Sequence, residues 1–182
     1  MVMKKTALLL IYGFVLSACK TGDNNPAIAN KFVDVFYSFD KDALAALIAS
    51  AKTSQPEILY YQQWAKCANY TVLDRTKYFE KNDSTVIMPV TVKDDLMGAL
   101  QIDFNVTDTF KIVIRNKQIV GVTTSSNDLD DYYKAKEWVA ANKPGYIDKA
   151  CEGIWAGGPT PCECVLGMIK GFEEFSISRK GR

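Results

Sequence analysis

The first third of the chain places apolar residues at helical spacing. After Asn25-Pro26, a pair typical of a helix start, apolar side chains recur three or four positions apart until about Ser38, which predicts an amphipathic helix. Asp40 or Asp42 can cap a second, shorter helix. The S-x-x-E pattern that begins at Ser54 is a capping box for a third. We therefore expect three consecutive helices.

From residue 70 to residue 126 the chain is rich in Val, Ile, Thr, Phe and Tyr, which favours strands. Breaks at Asn82-Asp83, Asp94-Asp95 and Asn116-Lys117 divide this stretch into four or more strands. Because such short breaks leave no room for crossover helices, the strands should pair antiparallel. Apolar and polar residues alternate over 100–106, which predicts a strand with one buried face.

After Asn127 the helical pattern returns, with Trp138 as an apolar anchor, until Pro144-Gly145 interrupts it. A last helix should begin at the T-P-C-E capping box that starts at Thr160. The expected fold class is therefore α+β, with N-terminal helices packed on an antiparallel sheet and a helical C-terminal extension over residues 129–182.

The N-terminus combines two lysines with an apolar run of about eleven residues, too short for a membrane-spanning helix. Residues 1–18 therefore predict a signal peptide. Its end, Leu16-Ser17-Ala18-Cys19, resembles the lipobox of bacterial lipoproteins. That resemblance implies a lipid on Cys19, with residues 19–25 as a tether. Since Lys20 follows and not Asp, it also implies the outer membrane of the cell envelope, facing the periplasm. An ordinary secretory signal and a transmembrane anchor are the competing interpretations.

Composition excludes several classes of chemistry. The chain has no His, so a His base, a His-containing triad and His metal sites are all excluded. The net charge is +1, and apart from the terminal SRKGR no basic block stands out, so nucleic acid is not an expected partner. The loop WAGGPTP lacks the lysine of a phosphate-binding loop. We expect no cofactor.

Besides Cys19 the chain has four cysteines, an even number that suits disulfides in an oxidising compartment. Bridging Cys162 to Cys164 across one residue would be strained, so two connectivities remain. Of these we expect Cys151–Cys164 together with Cys67–Cys162. A zinc site built from all four thiolates is the alternative, but C-x-C is not the usual spacing of structural zinc sites. We expect no metal.

Three helices followed by a long antiparallel sheet, over residues 26–128, resemble the nuclear transport factor 2-like superfamily, which includes SnoaL-like cyclases and ketosteroid isomerase. The local cues are KFVDVFYSFDKDALAALIA, at 31–49, and VTDTFKIVIRNKQIVGVTTS, at 106–125. This resemblance implies a cone, in which a curved sheet encloses an apolar pocket, and a chain that could pair with a second copy through its sheet. Residues 129–182 would be a disulfide-stapled addition to the cone.

Ketosteroid isomerase chemistry requires an Asp base and an oxyanion hole made by a Tyr and a protonated Asp. By this resemblance Phe32 replaces the Tyr, Asp108 falls near the protonated Asp, and the base has no counterpart. Asp108, a carboxyl at the start of a buried strand whose pKa burial would raise, is the candidate catalytic residue. A solvated turn residue is the alternative. Candidate binding residues are Tyr37, Tyr60, Tyr61, Trp64 and Asp103.

Two functions are consistent with these features. The first is a lipid-anchored envelope protein whose domain binds a small hydrophobic ligand or a protein partner. The second is a cofactor-free SnoaL-like or isomerase-like enzyme that uses carboxylate and tyrosine side chains as acid and base. An acidic side chain that points into an enclosed apolar pocket of roughly a few hundred Å³ would favour the enzyme. A cone filled by its own Phe, Leu and Met side chains would argue against the enzyme.

Overall fold

The computed structural model describes residues 24–75, 77–152 and 161–180. The predicted signal peptide, the predicted lipidation residue Cys19 and the start of the predicted last capping box, Thr160, lie outside these ranges. Within them, no helix has both the length and the apolar character needed to cross a bilayer. The elements in chain order are α1 (Asn25–Tyr37), α2 (Lys41–Leu47), α3 (Gln55–Cys67), β1 (Thr71–Asp74), β2 (Phe79–Asn82), β3 (Thr85–Lys93), α4 (Asp95–Leu100), β4 (Val106–Arg115), β5 (Gln118–Ser126), α5 (Asp130–Asn142), a 3₁₀ turn (Pro144–Tyr146) and α6 (Pro161–Lys180).

Polar side chains start the first two helices. Asn24 caps α1, one residue earlier than predicted, by accepting a hydrogen bond from the backbone N–H of Ala27 at 2.9 Å. Asp40, one of the two predicted candidates, caps α2 by accepting from two N–H groups of its first turn. Each cap satisfies backbone donors that the helix itself leaves unpaired.

The capping box predicted at the start of α3 is wrong. Ser54 occupies the N-cap position, but its side chain makes no cap hydrogen bond. Its hydroxyl donates to the carbonyl of Ala51 at 3.4 Å and accepts from the backbone N–H of Val122 at 3.1 Å. Because Val122 belongs to β5, at one end of the strand order, a tertiary hydrogen bond replaces the local one and joins α3 to the sheet.

The described strands form one antiparallel sheet in the order β1-β3-β4-β5, and β2 also pairs with β3. β1 pairs with the end of β3 and β2 with its beginning. β4 and β5 form a hairpin whose two turn residues, Asn116 and Lys117, have φ angles of 49° and 62°, as a type I′ turn requires. The antiparallel order that the sequence predicts is confirmed.

The third predicted strand is wrong in its first half. Asp94 accepts a hydrogen bond from the N–H of Met97 at 2.9 Å and thereby caps α4, which ends at Leu100. Residues 101–105 form a loop, and β4 begins only at Val106. Acidic residues stabilise the first turn of a helix, so the Asp-Asp pair starts a helix here and does not separate two strands.

One continuous apolar core joins the N-terminal helices, the sheet and the C-terminal extension. Phe110 of β4 lies at its centre, with ring centroids 5.4 Å from Phe32 and 4.9 Å from Phe36. These three rings and Phe172 of α6 are fully buried, and burying each stabilises the fold by about 2 kcal/mol. The protein's own side chains therefore fill this part of its interior.

Two cysteine pairs at disulfide distance fasten the C-terminal extension. Their Cα atoms are 4.9 Å apart in Cys67–Cys162 and 4.8 Å apart in Cys151–Cys164, which is the expected connectivity. Packing between α5 and α6 also depends on Gly171, because a Cβ there would lie 2.8 Å from Cγ1 of Val139 and nearer still to Cγ2. The Cys67–Cys162 pair thus joins the extension to α3, whereas the Cys151–Cys164 pair and the close packing at Gly171 hold the parts of the extension together.

Candidate functional site

Asp108 is a buried carboxylate in the middle of the sheet. It lies on β4 in the same inward-facing set as Val106 and Phe110 and is only 1% exposed. Its neighbours across the sheet are Val90 of β3 and Ser126 of β5. Since side chains alternate between the two faces of a strand, the apolar residues on either side carry Asp108 into the interior. The alternative of a solvated turn residue does not hold.

Two helices direct tyrosine hydroxyls at this carboxylate. Tyr37, the last residue of α1, donates a hydrogen bond to Oδ2 of Asp108 at 2.9 Å. Tyr61, from α3, hydrogen-bonds the same carboxylate. Both rings pack against Phe36, with centroid distances of 4.9 Å and 5.4 Å. The aromatic packing therefore holds the two donors in position.

Burial raises the pKa of Asp108 to about 6, because removal from water destabilises the charged carboxylate. The two tyrosine hydrogen bonds oppose this shift, and the nearby carboxylates of Asp128 and Asp94 add to it. Burial, followed by the negative charge of Asp108, raises the pKa of Tyr37 far above its ordinary value. At neutral pH the arrangement is thus a mostly ionised carboxylate held by neutral hydroxyl donors.

A cavity of about 430 Å³ opens beside this cluster. Helices α3, α4, α5 and α6 and strand β5 all contribute to its walls. We call it the extension pocket, because α5 and α6 of the C-terminal extension close one side. Asp108 is not among its lining residues, but Tyr61 is, so Tyr61 connects the buried carboxylate to the pocket. The aromatic lining residues are Tyr61, Trp64, Tyr70 and Tyr132.

The charged residues that line the pocket are mostly acidic. Asp94, the cap of α4, is 4% exposed, and burial raises its pKa. Asp128, half-buried between β5 and α5, accepts a hydrogen bond from the hydroxyl of Ser126 at 2.5 Å. Glu57 is exposed at the side of α3. The basic lining residue is Lys136, whose ammonium lies 5.6 Å from the centroid of the Tyr132 ring.

The structure brings some of the predicted site residues together and separates others. Tyr37 contacts Asp108, while Tyr61 and Trp64 line the extension pocket. Tyr60 also lies on α3 but packs partly buried against the core and is not in the pocket lining. Asp103 is exposed in the loop before β4, where it lines a separate surface depression.

Several lining residues are absent from the sequence prediction. Asp94 has a local signal, since it heads a short apolar segment with helical spacing and so acts as a cap. Asp128, Tyr132 and Lys136 recur at every fourth residue around the start of α5, and this spacing places Tyr132 and Lys136 on one face of the helix. Tyr70 has no such signal, because it meets these residues only after α5 and α6 fold back over the sheet. No described set of three or more Cys, Asp and Glu residues is arranged to hold a metal ion.

Comparison with protein-family models, curated proteins and solved structures gave no match to this chain. The resemblance to the nuclear transport factor 2-like superfamily and the resemblance to the lipobox therefore stay predictions.

Proposed function

We propose that the chain is a small-ligand-binding protein of the cell envelope and that its ligand occupies the extension pocket. The observation that carries this proposal is the cavity of about 430 Å³ with four aromatic side chains in its lining. Small-molecule sites are typically concave, of roughly 300–1,000 Å³, and lined by apolar and aromatic groups with a few polar ones. Aromatic rings provide a large contact area while losing little side-chain freedom.

The geometry favours binding over catalysis. A general base must come within hydrogen-bond reach of the proton that it removes, yet Asp108 is outside the pocket lining and is held by Tyr37 and Tyr61. The alternative, a cofactor-free enzyme working by proton transfer, is supported by one observation. Tyr61 both lines the pocket and hydrogen-bonds a carboxylate whose pKa is about 6, so a proton could pass through its hydroxyl.

A neutral aromatic probe, 2-phenylethanol, tests ligand binding by NMR titration of the backbone amides. Thr124 of β5 lines the pocket and lies opposite Phe110 on the inner face, so Thr124→Trp should fill the pocket and abolish saturable binding. Thr123→Trp is the matched control, since the exposed Thr123 is the next residue on the same strand and is not in the pocket lining. Equal binding by both variants would contradict the proposed site.

The proposal extends to the cone-shaped fold and the membrane anchor. Three helices before an antiparallel sheet support the cone, and two disulfides support an oxidising compartment. With a lipid on Cys19, the tether would hold the folded body near the membrane surface. Mass spectrometry of the protein from isolated membranes should find acylated Cys19 as the first residue. A retained 1–18 segment, or a Cys19→Ser variant that still fractionates with the membrane, would contradict this.

A further inference from the structure

The buried carboxylates of the site have no cationic partner among the described residues. The ion pairs in the described part of the chain are Arg75–Asp34, Lys134–Asp131, Lys143–Glu174 and Arg179–Asp131. None involves Asp94 or Asp108, although these are 4% and 1% exposed. Burying a carboxylate is unfavourable unless hydrogen bonds or a positive charge compensate. Hydrogen bonds from Tyr37 and from the backbone of α4 compensate in part, so a positive charge beside these carboxylates would be favourable.

The lining itself carries an excess of negative charge. Glu57, Asp94 and Asp128 contribute three carboxylates against the single ammonium of Lys136, a formal charge of −2 (1 − 3). Asp108 adds a further carboxylate behind Tyr61. Lys136 forms no ion pair with these carboxylates in the described part of the chain, and its ammonium lies over the Tyr132 ring. The wall of the pocket thus already holds one cation on an aromatic face.

We propose that the extension pocket selects an organic cation, with an ammonium group near Asp94 and Asp128 and an apolar body against the aromatic wall. This inference rests on the proposed ligand-binding function. A bare metal ion fits poorly, because the described carboxylates do not converge into a metal-binding group and the four aromatic residues offer no oxygen-rich shell. An ammonium ion, in contrast, gains both from carboxylates and from ring faces.

Three probes with the same aromatic group test whether charge or shape determines their affinity. They are 2-phenylethylammonium, 2-phenylethanol and phenylacetate, titrated at neutral pH and constant ionic strength into the full mature chain with its disulfides intact. We expect the ammonium probe to bind about tenfold more tightly than the alcohol, and the carboxylate to bind most weakly, because the lining repels an anion.

A matched pair of charge-removing variants locates the effect. Asp128→Asn removes one lining carboxylate and keeps a hydrogen-bond acceptor for Ser126. Asp130→Asn makes the same change at an exposed position outside the lining. We expect Asp128→Asn to weaken binding of the ammonium probe about fivefold to tenfold without changing the dissociation constant of the alcohol. Asp130→Asn should leave both dissociation constants within about twofold of wild type.

The outcomes distinguish this inference from the function on which it rests. If the alcohol binds as tightly as the ammonium probe, or if phenylacetate binds most tightly, the selectivity for cations is overturned while ligand binding stands. If Asp130→Asn weakens the ammonium probe as much as Asp128→Asn does, overall charge and not the pocket sets the preference, which also overturns it. If no probe binds saturably, the proposed function fails together with the inference.

Discussion

The buried carboxylate of Asp108 should make the protein less stable at neutral pH than in mild acid. Its pKa is about 6 in the folded chain, against 3.8 for an unperturbed Asp. Between these values the folded state binds more protons than the unfolded state, so the free energy of unfolding falls as pH rises. The difference of roughly 2 pKa units corresponds to about 3 kcal/mol, fully lost once the pH exceeds the folded-state pKa.

Substitution by a side chain that cannot ionise isolates this contribution. Asp108→Asn keeps a carbonyl oxygen that can accept a hydrogen bond from Tyr37, and it removes the penalty for burying charge. Urea unfolding of oxidised wild type and variant, from pH 4 to pH 7.5, gives both free energies. Relative to wild type, the variant should gain about 2 kcal/mol over this range, since part of the full difference already lies below pH 4.

The comparison of wild type with Asp108→Asn has an internal control and a result that would refute it. Burial also raises the pKa of Asp94, but that residue is present in both proteins, so its contribution largely cancels in the difference. Asp103→Asn, which changes an exposed loop residue, should keep the wild-type pH dependence. If the curves of wild type and Asp108→Asn run parallel from pH 4 to pH 7.5, the reasoning from burial to a raised pKa is refuted.

Three further predictions concern hydrogen bonding, packing and covalent links. Tyr37→Phe removes a donor to the charged form of the buried carboxylate, so the carboxyl pKa measured by ¹³C NMR should rise, and an unchanged pKa would show that this bond is not made in solution. Gly171→Ala should destabilise the fold by about 2 kcal/mol, because the added Cβ would overlap with α5. Gly98→Ala should be neutral or slightly stabilising, because the added Cβ would lie in open space. Equal thermal shifts of the two variants would contradict the packing argument. Replacing the Cys67–Cys162 pair by serines should lower the free energy of unfolding by about 5 kcal/mol and replacing Cys151–Cys164 by about 3 kcal/mol, because their sequence separations are 95 and 13 residues. The reverse order in urea denaturation would contradict loop-closure entropy as the cause.

The inward direction of the Asp108 side chain can be predicted from the local sequence, although its polarity suggests an exposed position. Val106, Asp108, Phe110, Ile112 and Ile114 share one phase of the strand alternation and are all buried. A strand with this phase directs the carboxylate inward regardless of its polarity. The hairpin turn after β4 is equally local, since its two residues adopt positive φ angles between well-paired strands.

The α4 segment and the extension pocket lie beyond such local reasoning for different physical reasons. The apolar residues of α4 have helical spacing, but apolar and polar residues also alternate from Leu100 to Phe104. Ile102 and Phe104 are partly buried although they lie in a loop, so the sequence there has the alternating pattern of a strand. The pocket forms only when residues from five elements meet. Tyr61, Trp64 and Tyr70 are close in sequence, but Tyr132 comes much later in the chain, so its approach to the other three depends on how α5 and α6 pack.

The Cys67–Cys162 bridge turns everything between α3 and α6 into a covalent ring. Hydrolysis of any single peptide bond inside that ring opens it without releasing a piece. A protease acting once on the sheet or on α5 would leave one molecule, heavier by a single water, until a reductant separates the two parts.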